Sequence, residues 1–130
     1  MKNKAINPWK WQDQFGFSQA IETHRHERVL HITGQAPISA DGQLVHAWDM
    51  PAQLNATLDN LEAVLAEAGY ELADLVRLNW YTTDVDLIVQ HWSVILSRLG
   101  DVRPAETLLG VSRLLFPGQL LEIEATASKS

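Results

Sequence analysis

Two stretches of the chain carry one pattern. Leu54, Leu58, Leu61 and Leu65 recur at i, i+4, i+7 and i+11, and Ile88, Trp92, Ile95 and Leu99 repeat that spacing. Each set reads as the apolar stripe of an amphipathic helix. Asp49 with Pro51 in the next turn opens the first helix, Asp84 or Asp86 opens the second, and Gly69 and Gly100 end them. Strand-like stretches lie on both sides of each helix. A stripe of this kind must be buried against another layer, and the layer available is a sheet. The pattern therefore predicts an α+β domain: a single mixed β-sheet, two β-α-β-like halves, and two helices on one face.

The flanking stretches fill in the sheet. In Leu72 to Thr82, Val76, Leu78, Trp80 and Thr82 alternate with Arg77, Asn79 and Tyr81. Phe17 to Glu22 and Arg28 to Thr33 read as two strands, with Thr23 to Glu27 as a hairpin loop between them. Asp41-Gly42 is a turn signal, and Gln43 to His46 is a candidate short strand. Near the end, Arg103 to Leu114 and Leu120 to Ala127 read as two strands joined through Pro117-Gly118. Alternation there puts Leu121, Ile123, Ala125 and Ala127 on one face and Glu122, Glu124 and Thr126 on the other. Two carboxylates on one face fit a site, a subunit contact, or a solvated sheet face. Helices on one side leave the other side of the sheet to be covered, and self-association is the economical cover.

Residues 1–15 read as an N-terminal segment and 16–130 as the domain proper. Trp9 and Trp11 in that segment are expected to lie against protein. His24 and His26, two apart, have the spacing of a metal pair, but no third ligand is evident and solvated loop histidines are the commoner case. No metal site is expected.

Composition limits the function. With 130 residues the chain holds one domain with one core. It contains no cysteine, which excludes disulfides, thiolate metal sites and a cysteine nucleophile. A net charge of −6 argues against nucleic acid as the main partner, because phosphate binding needs clustered lysine and arginine. No window reaches the roughly 20 apolar residues of a membrane span, and no signal-peptide pattern follows Met1. A cytoplasmic protein is the expectation.

The motifs resemble those of the Rid family (YjgF/RidA), whose older labels are endoribonuclease L-PSP and translation initiation inhibitor. Gly16-Phe17-Ser18-Gln19-Ala20-Ile21 is similar to the family's G-P-Y-S-Q-A-I, and Thr33-Gly34-Gln35-Ala36-Pro37 to its S-G-Q-I-P. Thr57-Leu58-Asp59-Asn60-Leu61 with Ala68-Gly69, and Tyr81-Thr82-Thr83-Asp84-Val85, follow in family order. Arg103-Pro104-Ala105-Glu106-Thr107, then Val111-Ser112-Arg113-Leu114 and Glu122-Ile123-Glu124-Ala125, resemble its C-terminal signature. The resemblance runs from Gly16 to Ala127. It implies a chorismate-mutase-like fold, a homotrimer with small-molecule clefts between subunits, no cofactor, and hydrolysis of reactive enamines and imines to 2-oxo acids and ammonia.

Carried over residue by residue, Glu122 matches the glutamate that positions the attacking water. Gly34 matches a glycine that orients the substrate, and Thr33 holds a hydroxyl where serine is usual. The arginine that binds the substrate carboxylate is replaced by Glu106, the usual tyrosine by Phe17, and the usual cysteine by Leu108. Two like charges about 4 Å apart repel by roughly 4 kcal/mol at an effective dielectric near 20, about three decades of affinity. The expected cleft therefore holds Glu106 and Glu122 with Phe17, Leu108 and a tryptophan, and suits a neutral or cationic substrate. Arg103 and Arg113 are candidates to replace the missing cation. Two functions remain open: a divergent deaminase-like hydrolase, or a non-catalytic small-molecule-binding trimer. An RNA-cleaving role is disfavoured by the acidic charge.

Overall fold

In the computed structural model, which describes residues 3–25 and 27–130, a four-stranded sheet with its helices and a separate pair of short strands carry the fold. Strands β1 (Lys4–Ile6) and β2 (Ala20–Glu22) pair with each other, apart from the main sheet. The main sheet contains β3 (Arg28–Gln35), β4 (Leu75–Thr82), β5 (Ala105–Gly110) and β6 (Leu121–Lys129), in the order β3-β6-β4-β5. Helix α1 (Met50–Ala68) connects β3 to β4. Helices α2 (Val85–Gln90) and α3 (Trp92–Leu99) connect β4 to β5.

Strand β6 is antiparallel to both β3 and β4, and β5 is parallel to β4. A parallel pair needs a crossover, and α2 with α3 supplies it. The α+β class, the mixed sheet and the two helical stretches on one face all follow the expected layout. Asp49 accepts from the Ala52 N–H at 3.1 Å and Asp84 from the Leu87 N–H at 3.0 Å. Gly69 ends α1 with φ 81°, a conformation that favours glycine. Leu54, Leu58, Leu61, Leu65, Ile88, Ile95 and Leu99 are buried against Leu78, Trp80, Leu121, Ile123 and Ala125 of the sheet.

Four expectations are corrected. The C-terminal strands are not a hairpin: β4 lies between β5 and β6, because the residues after Gly110 form a loop long enough to cross a strand. The second helix is interrupted at His91, whose φ −106° and ψ 17° leave helical geometry, so it divides into α2 and α3. Strand β2 pairs with β1 instead of β3, so residues 4–6 of the N-terminal segment form a strand. Leu44 makes only an isolated bridge with Ile38, and no strand forms over 43–46.

The N-terminal segment continues into a short 3-10 helix, Trp11–Phe15, seated on α3 by a 2.9 Å bond from the Trp92 indole N–H to the Phe15 carbonyl. Trp9 and Trp11 are 58% and 53% exposed in the single chain. Trp11 meets Phe17 and Phe15 edge-on, with centroids at 5.7 and 6.5 Å. Arg98 of α3 ties the helices together, reaching Asp59 at 2.7 Å and Glu62 at 2.6 Å on α1.

Buried Gln53 joins the helix to the strand behind it. Its Nε2 donates to the carbonyls of Gly118 at 2.7 Å and His46 at 2.9 Å, and its Oε1 accepts from the Leu120 N–H at 2.8 Å. Replacing it by Met keeps the length but orphans the Leu120 N–H and takes one of two hydrogen bonds from each carbonyl, which still accept from Trp48 and Asp49. Gln53→Met is expected to lower unfolding free energy by roughly 2–4 kcal/mol, read from urea denaturation.

Candidate functional site

The pleat sends the expected site residues to two faces. Glu106 stands beside Leu78, and Leu108 beside Trp80, so both strand-β5 side chains point to the helix side. Glu122 stands beside Tyr81, on the helix-free side. The structure thus brings Phe17, Glu106 and Leu108 together and leaves Glu122 out. The single cleft expected to hold both glutamates does not exist within one chain.

On the helix side, a cavity of about 410 Å³ opens between the sheet edge, α2–α3 and the N-terminal segment. Phe15, Phe17, Trp80, Trp92, Leu96 and Leu108 form most of its wall, with Glu106 as its only ionisable residue. Gly16 turns the chain with φ 80° where a Cβ would strike Leu96, which brings Phe15 and Phe17 to the rim. Ser18 bridges to Ala105 and its N–H donates to the Pro104 carbonyl at 2.9 Å, holding that rim to β5. The indoles of Trp80 and Trp92 pack with centroids 5.6 Å apart.

The Trp80 indole N–H donates to Oε1 of Glu106 at 2.6 Å. Oε2 of Glu106 is buried with no hydrogen-bond partner. Burial pushes the carboxyl from the ordinary 4.5 up to about 7, against the Trp80 hydrogen bond and the charges of Arg103 and Arg77, which pull it down. Arg103 does not pair with it directly: its Nη1 donates to the carbonyls of Gly100 and Val102. Arg77 is bound to the Thr107 hydroxyl at 2.6 Å. Arg113 lies elsewhere, lining a separate hollow with Trp48, Asp84 and Phe116. Neither Arg103 nor Arg113 takes the place of the missing arginine in the cavity.

On the helix-free side, a bulge between Ile32 and Gln35 sets Gly34 against Glu122. A Cβ at Gly34 would overlap the Glu122 carboxylate, so glycine is required for this approach. Gln119 Nε2 donates to Glu122 at 3.3 Å. Thr33 borders a shallow hollow with His31, Asn79 and Glu124. Asn79 donates to Glu124 at 3.2 Å, and Tyr81 donates its hydroxyl to the same oxygen. That bond, with burial and the charge of Glu124, raises the Tyr81 phenol above its ordinary value. Among the described residues, no cluster of three or more histidine, cysteine or acidic side chains is placed to hold a metal. The pair with His26 lies outside the described residues.

The family described as endoribonuclease L-PSP matches residues 12–129. The chain belongs to the Rid (YjgF) family. A Rid-family protein of unknown function from Yersinia pestis is 38% identical and superposes with a TM-score of 0.86 over 98% of this chain and 99% of its own. A RutC family protein of Pyrococcus horikoshii is 34% identical over 87% of this chain and 86% of its own. A crystal structure titled a putative endoribonuclease, from Thermotoga maritima, is 31% identical with a TM-score of 0.72 over 99% of this chain and 92% of its own.

Within this Rid chain, sequence reasoning placed Glu106, Phe17 and Leu108 at a site but left its tryptophan without a number. The signal was present: alternation buries Trp80, and a buried indole N–H needs an acceptor. The acidic residue two positions into the neighbouring strand supplies it.

The raised carboxyl makes stability depend on pH. Between pH 4.5 and about 7 the folded chain keeps a proton on Glu106 that the unfolded chain has released. Folded stability from this group is therefore lost as pH rises through that window. Glu106→Gln cannot ionise. Its stability relative to the parent is expected to improve from pH 4.5 to pH 8 by up to about 3 kcal/mol, measured by chemical denaturation at both pH values.

Proposed function

We propose that this Rid-family chain binds a neutral or cationic small molecule through the Glu106 cavity, and that the archetype's 2-imino acids are not its substrates. The observation that carries the reading is the carboxyl of Glu106 in an apolar wall, where a substrate carboxylate would meet like charge instead of an arginine fork. The reaction class it suits is hydrolysis of a carbon–nitrogen double bond in an enamine or imine. Water adds to the carbon, the carbon–nitrogen bond breaks, and the nitrogen leaves with a proton. A carboxyl titrating near neutrality can give that proton and recover one from water.

A homotrimer belongs to the same proposal. The sheet face carrying Glu122, Glu124 and Thr33 has no helix over it, and a neighbouring subunit laid there is the way to bring a second carboxylate to the edge of the cavity. The second reading, a non-catalytic binding trimer, is favoured by the place of Glu122. Inside one chain the cavity has one carboxyl, and Glu122 lies on the other face of the sheet.

Light scattering at micromolar concentration is expected to give a trimer; a monomer would sink that part. When a pyridoxal-phosphate lyase generates 2-aminoacrylate, the protein is expected to leave the rate of pyruvate release at the buffer value. Acceleration would overturn the charge argument and restore the archetype's activity.

A further inference from the structure

We propose that the Glu106 cavity takes a primary ammonium ion on an apolar body about the size of one aromatic ring, with Glu106 as its counter-ion. The inference rests on the small-molecule reading above and names its ligand class.

The wall offers almost nothing to an anion. Both indole N–H groups are spent inside the protein, that of Trp80 on Glu106 and that of Trp92 on the Phe15 carbonyl. Gln14 turns its amide to the Trp11 carbonyl at 3.2 Å. What remains is the Glu106 acceptor, the Thr107 hydroxyl held by Arg77, and carbon. Oε2 of Glu106 is the one buried carboxylate oxygen among the described residues that lacks a partner. Four aromatic rings, Phe15, Phe17, Trp80 and Trp92, line the same cavity. An ammonium group satisfies the oxygen by a charge-assisted hydrogen bond and meets the negative faces of the rings. A volume of about 410 Å³ is within the range of small-molecule pockets and fits one ring with a short chain.

Two cations act on Glu106 from outside the wall. Arg77 on β4 is held by Thr107, and Arg103, just before β5, is turned to backbone carbonyls. Neither lines the cavity, and no other lining residue from α2, α3 or the N-terminal segment titrates. Oε2 is closed to solvent. A ligand nitrogen reaches it only with a side-chain shift in the aromatic wall, so binding should alter tryptophan emission.

The test uses the full chain and three probes with one phenyl body: 2-phenylethylamine, 2-phenylethanol and 3-phenylpropionate. Affinities are measured by calorimetry and tryptophan fluorescence at pH 6 and pH 8. At pH 8 the amine is expected to bind at least about tenfold more tightly than either comparison compound. Its affinity should fall about tenfold at pH 6, because Glu106 takes up a proton with a pKa of about 7. Glu106→Gln keeps an acceptor for Trp80 and should lose both the amine preference and the pH slope. Equal binding of alcohol and amine, or an unaltered amine affinity in Glu106→Gln, overturns the ligand class while small-molecule binding stands. Failure of all three probes at millimolar concentration also overturns it. The parent reading falls separately, through 2-aminoacrylate hydrolysis.

Discussion

The pleat of the central strand governs where chemistry can occur in this chain. Along β6, Leu121, Ile123 and Ala125 point toward the helices, and Glu122 and Glu124 point away. Strands β4 and β5 are locked in register to it, directly or through one neighbour. Two residues one position out of phase are therefore on opposite sides of a packed layer, however close their backbones run. Glu106 and Glu122 are such a pair. Joining them in one site needs a second surface, and a copy of the same chain is the simplest one.

The sequence made the helix-side core readable because periodicity reports burial directly. The two stripes, the Asp49 and Asp84 caps and the Gly69 stop are local signals, and each is found where it was expected. Strand partners are set by long-range contacts that no local signal carries. Pro117-Gly118 has turn chemistry, yet the chain there returns to the far side of β4 and does not double back on β5. The same limit applies to the site. Residue types at Glu106, Phe17 and Leu108 were legible through family resemblance. Their separation from Glu122 depended on strand phase, and the phase of β5 relative to β6 is set by β4 between them.

Placing a carboxyl among aromatic rings sets two demands against each other. Burial favours the neutral acid, while the indole donor and two nearby guanidinium groups favour the anion. The balance near neutrality leaves Glu106 responsive to whatever approaches it. An arginine at this position would stay charged across all accessible pH. Glutamate in its place puts a titratable carboxyl where the family pattern has a fixed cation, which is why the proposed ligand is neutral or cationic.

The segment that shapes the cavity rim has another consequence. Strand β5 is the last strand of its sheet, and Ser18, through its bridge to Ala105 and its bond to Pro104, lies along its open side. An uncovered edge strand is a template for pairing with other chains. Phe17 is the residue before that cover, so the wall of the cavity and the guard of the sheet edge are one short piece of backbone. Any change that unseats residues 16–18 opens the pocket and also bares the backbone at the Arg103–Ala105 end of that edge. Aggregation, rather than lost binding, would then be the first sign of damage at this rim.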